Sequence, residues 1–538
     1  METKVKQSDR ICCINKETIS IQKIVLVSLT CIMMVACNKD NEKFIPMDGM
    51  DDIFKSYLLE NFDRDVDGVI SEEEASLVKE MDCSSKGINS LDGIQYFSNL
   101  EILICRYNAL HAIDISNNSA LKYFDCGNNP NNKKIDVSKN QMLETLITCY
   151  NPLEELIIND GLKKLDIEGH KLSSLDFSGN KSLKELYCFG ESIINLDVSH
   201  SILDSIECGG SNFRLLNLDG CSSLKKLICG TNIDFSSILK NCPNLEHLNV
   251  LSSSIDVSHC QLLKILRFSG YVTDLDLTNN PALEELSCNW ETVVTNGIDM
   301  SNNLKLVKLD INVNVIKGNN VDLSNRKFLK SVSIKPYAPR KEIETVNLSG
   351  CASLNDLTVS GLQLKSLNIN GCTALSAIDC SYNQLTELKI EDSKALKELL
   401  VSGNKLSTLK INSEQLSVIN CGSNPLTNMD FIKNSQLKEL YCFDMSLHSL
   451  DLSGCPSLEI LNCSINSLEK LDVSKCPNLS SINCKENRLK PSFDVSKCRL
   501  LTEINCMDNS ELTELILYKN HIIKNIDTDS QTKIVLSD

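Results

Sequence analysis

Hydrophobic and polar positions alternate along most of this chain in a repeating unit of 21 residues. The stretch Leu458–Asn478 shows the regular form, with the halves Leu-x-x-Leu-x-Cys-x-x-Asn and Leu-x-x-Leu-Asp-Val-Ser-x-Cys. In each half, apolar residues alternate as in a short strand, and a turn follows. Because each half is too short to bury its own apolar face, neighbouring copies must cover it.

The sixth position of the unit marks its copies, which recur at spacings of 18 to 25 residues. A leucine-rich pattern with this period is the signature of leucine-rich repeats. It predicts a right-handed, β-rich repeat solenoid of about 21 rungs over residues 82–538, with a C-terminal cap. The sixth positions are Cys83, Cys105, Cys126, Thr148, Ile167, Cys188, Cys208, Cys229, Val250, Phe268, Cys288, Ile311, Ile334, Val359, Cys380, Val401, Cys421, Cys442, Cys463, Cys484 and Cys506.

Two features of the repeat resemble a particular family. Cysteine replaces the usual leucine on one side of the rung, and Leu-Asp-Val-Ser recurs in the second half. In both respects residues 78–526 resemble the cysteine-ladder repeats of internalin-type surface proteins. The resemblance implies a curved solenoid on a bacterial surface that binds an extracellular ligand, often as an adhesin. It carries over no ligand-binding residues, because the shared motif is the scaffold.

The chain holds 26 cysteines, which in an exported protein ordinarily indicate disulfides or a metal site. Thirteen of them occupy the sixth position, and eight replace an asparagine three residues after the second-half strand. We therefore predict that they pack as small buried side chains with a weak S–H donor. Disulfides between adjacent rungs are the alternative, because stacked strands lie about 4.8 Å apart. The eight are Cys221, Cys242, Cys260, Cys351, Cys372, Cys455, Cys476 and Cys498.

Residues 1–36 have the composition of a lipoprotein signal peptide. Several Lys and Arg residues precede the apolar run Ile24–Ala36, which is too short for a comfortable membrane span. Met34-Val35-Ala36-Cys37 then resembles a bacterial lipobox. This implies lipidation of Cys37, a tether over residues 37–50, and a location at the bacterial outer membrane or cell surface. An ordinary signal peptide or an uncleaved anchor is the alternative.

The sharpest chemical motif follows an apolar helical face in residues 51–62. Residues 63–74, DRDVDGVISEEE, fit the twelve-residue EF-hand loop, with carboxylates at positions 1, 3 and 5, glycine at position 6 and glutamate at position 12. The loop predicts a Ca²⁺ site in a helix-loop-helix cap over residues 51–81. A structural cap is favoured over a sensor, because sensors work in pairs and a solenoid needs its first rung covered. The predicted ligands are Asp63, Asp65, Asp67, Val69, Ser71 and Glu74.

Aromatic residues beside the sixth position are candidate ligand contacts. Strand side chains alternate, so the residues flanking a buried position point outward, and aromatic side chains there are typical of glycan or protein recognition. The repeat also lengthens at residues 289–297, 312–320 and 335–343. Such insertions emerge on one side of a solenoid, although surface loops also lengthen at small cost. The candidates are Tyr187, Phe189, Trp290, Tyr337, Tyr441 and Phe443.

The net charge and the placement of the histidines favour a binding protein over a nucleic-acid-binding protein or an enzyme. The formal charge of −17 argues against nucleic acid as a partner. The seven histidines form no recognisable nucleophile, zinc or phosphate motif. We predict a monomeric, non-catalytic surface protein that binds an extracellular protein or glycan. A structural or assembly subunit of an outer-membrane nutrient-handling complex is the first alternative, and a glycan hydrolase that uses surface carboxylates is a remote one.

Overall fold

The computed structural model describes residues 43–178, 180–289, 291–336, 342–427 and 434–538. The chain divides into two compact units, Met1–Phe44 and Ile45–Asp538. The second unit holds two helices, α1 (Asp52–Phe62) and α2 (Glu72–Leu77), followed by a stack of parallel strands. Within the described ranges, we find no apolar helix of membrane-spanning length.

Most strands belong to one parallel sheet of 22 strands, the main sheet. It is formed by the first halves of the units. Each of its strands pairs with the first-half strand of the next unit. In order, the strands are Glu80–Asp82, Ile102–Ile104, Tyr123–Asp125, Thr145–Ile147, Lys164–Asp166, Glu185–Phe189, Ser205–Gly209, Lys226–Cys229, His247–Leu251, Ile265–Ser269, Glu285–Cys288, Lys308–Asn312, Ser331–Lys335, Asp356–Thr358, Ala377–Asp379, Glu398–Leu400, Val418–Asn420, Glu439–Tyr441, Ile460–Asn462, Ser481–Asn483, Glu503–Asn505 and Asn525–Asp527.

The second halves of the units form smaller parallel sheets, the minor sheets. Their strands are Lys134–Asp136 and Glu155–Ile157; Ser174–Asp176, Asn195–Asp197 and Leu215–Asn217; Tyr271–Val272 and Val293–Val294; Asn320–Asp322, Thr345–Asn347 and Ser366–Asn368; and Ser492–Asp494, Glu514–Tyr518 and Lys533–Ser537. Single-turn 3-10 helices occur at Ile94–Tyr96, Leu239–Asn241 and Val313–Val315.

The register of the main sheet sets equivalent positions of successive rungs side by side. Tyr441 pairs with Asn462, and Asn462 pairs with Asn483, so inward and outward side chains stay in separate columns. The sixth-position residue is buried in all 21 predicted rungs, from Cys83 to Cys506. These observations confirm the predicted solenoid. The strand Asn525–Asp527 extends the main sheet beyond the last predicted rung.

A buried asparagine ties the turn after each regular first-half strand to the preceding rung. Asn487 Nδ2 donates to the carbonyl oxygens of Cys463 and Cys484, both at 3.0 Å, and Asn487 Oδ1 accepts from the Leu468 N–H at 3.0 Å. One amide thus pairs three backbone groups that water does not reach. Equivalent bonds recur at Asn108, Asn129, Asn383, Asn404, Asn424, Asn466 and Asn509.

The eight cysteines that replace an asparagine after the second-half strand form a second column beside the sixth-position cysteines. Their thiols take the place of that asparagine's side-chain donor. Asn280 Nδ2 donates to the Val257 carbonyl of the preceding rung at 3.0 Å, and the Cys221 thiol lies 3.0 Å from the equivalent Val198 carbonyl. All 22 described cysteines are buried and carry free thiols. Burial raises the pKa of Cys221 and of Cys351 above the ordinary thiol value, so these two thiols stay protonated donors at neutral pH. Their placement agrees with the predicted packing role.

The two helices lie against the start of the solenoid. Phe54 and Leu58 of α1 are fully buried in the same apolar core as the first rungs. The ring centroids of Phe62 and Phe97 are 5.9 Å apart, and Asn99 donates to a carbonyl of α2 at 2.8 Å. Because burial of these large apolar side chains is favourable, it stabilises the packing of the two helices against the first rung.

The lengthened loops differ from the expected binding surface. Residues 289–297 contribute the short strand Val293–Val294, and residues 312–320 contain the buried side chains of Val313 and Val315. Part of each insertion therefore belongs to the core. Residues 337–341 of the third insertion lie outside the described residues.

The last strand, Lys533–Ser537, pairs with Glu514–Tyr518 in the position predicted for a closing strand. Its apolar residues Ile534 and Leu536 nevertheless remain 49% and 58% exposed. This strand therefore extends the minor sheet without covering its end.

His170 stands where the regular rung places the buried asparagine. It is buried, and its Nδ1 accepts the Leu172 N–H at 3.0 Å. Burial lowers the pKa of His170, because a charged ring would lose its hydration. A proton on Nδ1 would also remove the bond to Leu172.

We expect Asn487→Ala to lower the free energy of unfolding by about 3 kcal/mol, since each buried backbone group left unpaired costs about 1–3 kcal/mol. Urea unfolding followed by circular dichroism measures the change. The matched control is Asn370→Ala, because Asn370 is exposed; its effect should stay within about 0.5 kcal/mol. Equal effects of the two substitutions would refute the role of the buried amide.

His170 should make the fold sensitive to mild acid. The unfolded histidine has a pKa of about 6.5 and the folded one a lower pKa, so the unfolded state binds more protons as the pH drops. Stability is therefore full above the unfolded pKa and is lost as the pH falls toward the folded one. Between about pH 7.5 and about pH 5.5, the thermal midpoint of His170→Asn should change less than that of the parent. If the thermal midpoints of the parent and of His170→Asn change equally with pH, His170 is not the origin of the acid sensitivity.

Candidate functional site

Three aspartates converge in the loop between α1 and α2. One carboxylate oxygen from each of Asp63, Asp65 and Asp67 lies within 4.8 Å of the other two. Asp63 is half-buried, and Asp65 and Asp67 are exposed. Since like charges at this distance repel one another, the cluster favours a hard cation that accepts several oxygen ligands.

Hydrogen bonds to the backbone shape this loop. Asp63 accepts from the N–H groups of Asp67 at 3.2 Å and Gly68 at 2.9 Å, and Asp67 accepts from the Val69 N–H at 3.1 Å. Gly68 has a φ of 88°, which only glycine adopts without strain. The sharp turn at Gly68 therefore brings the aspartates together.

Glu74 closes the loop from the first turn of α2. Its Oε2 accepts from Ser71 N at 2.9 Å and from Ser71 Oγ at 3.0 Å, and its Oε1 accepts from Arg64 N at 2.6 Å. Partial burial alone would raise the pKa of Glu74, but these hydrogen bonds outweigh it and lower that pKa. Glu74 thus faces the loop as a carboxylate but lies outside the cluster of three aspartates.

The segment before α1 completes the loop in a way that the sequence pattern did not indicate. The Ile45 N–H donates to the carbonyl of the buried Ile70 at 2.9 Å. Ile45, Met47 and Met50 are themselves buried. The tether predicted over residues 37–50 is therefore too long at its C-terminal end, because these three side chains pack in the core.

Two pairs of predicted ligand contacts lie on the outward face of the main sheet. Tyr187 is half-buried, with the Lys164 Nζ 5.2 Å from its ring centroid, and burial raises its pKa to about 12. Tyr441 donates its hydroxyl to Glu439 Oε2 at 2.9 Å. Each tyrosine thus has one polar contact on the face, a lysine for Tyr187 and a glutamate for Tyr441.

Glycines make room for the neighbouring rings. A Cβ at Gly209 would lie 3.1 Å from the ring of Phe189, and one at Gly422 would lie 2.7 Å from the ring of Phe443. Each phenylalanine therefore covers bare backbone of an adjacent rung. The structure brings Tyr187 together with Phe189 and Tyr441 together with Phe443, but it places the two pairs twelve rungs apart.

Tyr382, two residues after the sixth-position Cys380, is another aromatic residue that the repeat pattern places near the outward face. It is 65% exposed, has a φ of 54°, and lies over Gly403, where a Cβ would approach its ring to 2.8 Å. This left-handed φ belongs to the regular turn of the repeat, because Tyr107 and Ile465 share it two residues after their own sixth positions. Three other predicted residues, Cys37, Trp290 and Tyr337, lie outside the described residues.

No protein-family model matches the chain, and no curated protein matches it. Among solved structures, it is similar to the functional domain of InlJ from Listeria monocytogenes, which includes a cysteine ladder, with 21% identity, 87% of this chain and 81% of that chain covered, and a TM-score of 0.36. It is similar to a TDR receptor with 16% identity, 86% and 90% covered, and a TM-score of 0.55. It is also similar to the plant peptide hormone receptor RGFR1 in complex with RGF2, with 17% identity, 85% and 86% covered, and a TM-score of 0.47.

These likenesses concern the fold. The structural neighbours are internalin-type and other leucine-rich-repeat proteins, as the repeat pattern predicts. The parallel register, the buried sixth position and the likeness to the TDR receptor structure together identify the fold of the chain as a leucine-rich-repeat solenoid.

Proposed function

We propose that this protein is a Ca²⁺-binding leucine-rich-repeat lipoprotein of the bacterial outer membrane or cell surface, and that it binds an extracellular protein or glycan without catalysis. The observation that carries the proposal is the outward face of the main sheet. Its columns present aromatic, amide and charged side chains across 22 strands, while the inward columns are buried. Such a face supplies many separate contacts to a large partner.

The arrangement of chemical groups favours binding over catalysis. Of the histidines, His170 is buried and His247 is half-buried, and burial lowers the pKa of both. The thiols of the described residues lie in the core, where no substrate reaches them. What remains on the outward face is suited to stacking, hydrogen bonding and charge pairing.

We propose that the loop between α1 and α2 holds Ca²⁺ as part of a structural cap. Bound Ca²⁺ would neutralise the clustered carboxylates, since it prefers hard oxygen ligands. Its binding would thereby stabilise the helices that cover the first rung. The residues that would hold it are Asp63, Asp65, Asp67, Val69, Ser71 and Glu74.

Anchoring through a lipid on Cys37 also belongs to the proposal. The described unit begins packing at Ile45, so residues 38–44 would separate the core from the lipidated cysteine. Mass spectrometry of the protein from bacterial membranes, compared with Cys37→Ser, tests this part: diacylation of the parent alone is expected.

The Ca²⁺ proposal predicts stabilisation that depends on Glu74. A ligand that binds only the folded state stabilises it in proportion to ln(1 + [L]/Kd), about 2.7 kcal/mol at 100 times Kd. The thermal midpoint of residues 38–538 should therefore rise with Ca²⁺ over chelator, and Glu74→Gln should abolish the rise. Glu73→Gln is the matched control, because Glu73 is exposed on the same helical turn. If Ca²⁺ does not change the thermal midpoint of the parent, the proposed Ca²⁺ site is wrong.

The binding proposal predicts that the main sheet carries the affinity. Residues 38–538 should bind at least one of immobilised mucin, extracellular-matrix protein and neutral polysaccharide. At least one of the outward substitutions Tyr187→Ala, Ser333→Arg and Tyr441→Ala should weaken that binding about tenfold or more, as hot-spot contacts do.

The controls are Leu215→Ala and Phe328→Ala, because both side chains are exposed in second halves of the unit. They should leave binding unchanged. Loss of affinity in the controls alone, or no binding to any of the three materials, would contradict the proposal.

A further inference from the structure

Four rungs in the later part of the main sheet carry asparagine at the same outward position, which Asn249 also occupies in an earlier rung. Asn420, Asn462, Asn483 and Asn505 each end a strand, and all four are half-buried. The register places them in one column, with Tyr441 between the first and the second. We call these four residues the amide column.

Each amide uses only its oxygen within the protein. The Oδ1 atoms of Asn462, Asn483 and Asn505 accept the backbone N–H two residues later, at 3.2, 3.2 and 3.1 Å, and Asn420 Oδ1 does so at 3.4 Å. No acceptor for their Nδ2 groups is present among the described residues. The column thus presents a row of paired N–H donors to solvent.

The fold does not require an amide at this position. Asp379 occupies the same column, and its Oδ1 accepts the Ser381 N–H at 3.0 Å. Asp125 and Asp166 do the same for the N–H groups of their own turns, at 3.1 Å each. Since a carboxylate closes the turn as well as an amide, the Nδ2 donors serve something other than the solenoid.

Carboxylates on the same stretch of the face lack counter-charges. Asp379, Glu398, Glu439 and Glu503 form no ion pair with any described residue. In earlier rungs the outward acids are paired: Glu207 with Lys226 at 2.6 Å, and Glu285 with Arg267 at 2.9 Å. Lys485 on the same stretch is already paired with Glu486 and Asp508, at 3.3 Å each. The stretch is therefore rich in donors and acceptors, and its unpaired carboxylates disfavour anions.

Aromatic rings complete the stretch. The Tyr441 ring stands within the amide column, the Phe443 ring lies over Gly422, and the exposed Tyr382 ring lies over Gly403. Ring faces of this kind pack against apolar C–H surfaces. The rungs from Cys380 to Cys506 thus combine flat apolar surfaces, amide donors and carboxylate acceptors.

We infer that this stretch binds a neutral glycan chain lying across the strands. Sugar hydroxyls accept from the amide column and donate to the carboxylates, and the C–H faces of the sugar rings stack on Tyr441. A protein partner fits less well, because the cores of protein interfaces are depleted of charged residues and buried carboxylates would need counter-charges. Uncharged sugars satisfy carboxylates by hydrogen bonding alone. The inference rests on the proposed function and names its ligand class.

Calorimetric titration of residues 38–538, which contain the whole compact unit, tests the inference. The probes are linear β-linked oligosaccharides of glucose, galactose and mannose, with an oligosaccharide of uronic acids as the anionic comparison. At least one neutral probe should bind, and the anionic probe should bind more weakly or not at all.

The variant Asn462→Asp/Asn483→Asp/Asn505→Asp should bind that probe about tenfold more weakly or worse, since it removes three pairs of donors. Because the three new carboxylates lie on adjacent strands and repel one another, the thermal midpoints are compared in high salt, which screens this repulsion. There the midpoint should match the parent, because Asp379 already closes this turn in the same column. The matched control is Asn368→Asp on a minor sheet, where Asn368 Oδ1 also accepts a backbone N–H two residues later, at 3.2 Å. The control should leave the affinity unchanged.

Three results would overturn the inference: no neutral probe binds, the anionic probe binds best, or the triple variant binds as tightly as the parent. If an extracellular protein binds instead and Tyr187→Ala weakens it, the proposed function stands and only the glycan assignment fails. If neither glycan nor protein binds, both fail.

Discussion

The fold depends on one interaction that recurs along the chain: a buried side-chain amide that ties each turn to the rung before it. Asn404 shows it, with Nδ2 bonded to the carbonyls of Cys380 and Val401 and Oδ1 bonded to the Leu385 N–H. The turn points these groups inward, where water does not reach them, and an asparagine pairs all three at once. Because two of the three belong to the neighbouring rung, a single rung cannot satisfy its own backbone.

A second buried asparagine follows the second-half strand, and where it is replaced its donor function survives in another chemical form. Cys351 places a thiol 3.1 Å from the Leu323 carbonyl. The buried Arg326 donates to the Met300 carbonyl at 2.7 Å and also to Asn303. The requirement at this place is a donor short or slender enough to enter the turn. That requirement explains the high cysteine content of the second column, in which thiols such as those of Cys221, Cys351 and Cys372 lie 3.0 to 3.2 Å from a backbone oxygen.

The solenoid was predictable because its pattern resides in the inward positions, and burial constrains those residue by residue. The loop aspartates were predictable for a similar reason, since their spacing is local. The remaining features join residues that are distant in sequence. The hydrogen bond from Ile45 to Ile70 and the packing of Tyr382 over Gly403 could not be predicted, because no repeating sequence pattern marks these contacts. The free Nδ2 of Asn483 was also invisible, because a sequence shows the residue and not which of its atoms the fold uses.

The outward columns can change with little effect on the fold. In the amide column, the turn needs one oxygen, and Asp379 supplies it as well as Asn505 does. The choice between carboxylate and amide therefore sets the charge and donor content of the face while the core stays the same. Earlier rungs pair outward acids with bases, as in Glu207–Lys226. In later rungs Lys485 pairs with Asp508, whereas Glu439 has no ion pair among the described residues. Because the turn is closed in either case, the fold leaves the charge and donor content of this face free to differ from rung to rung.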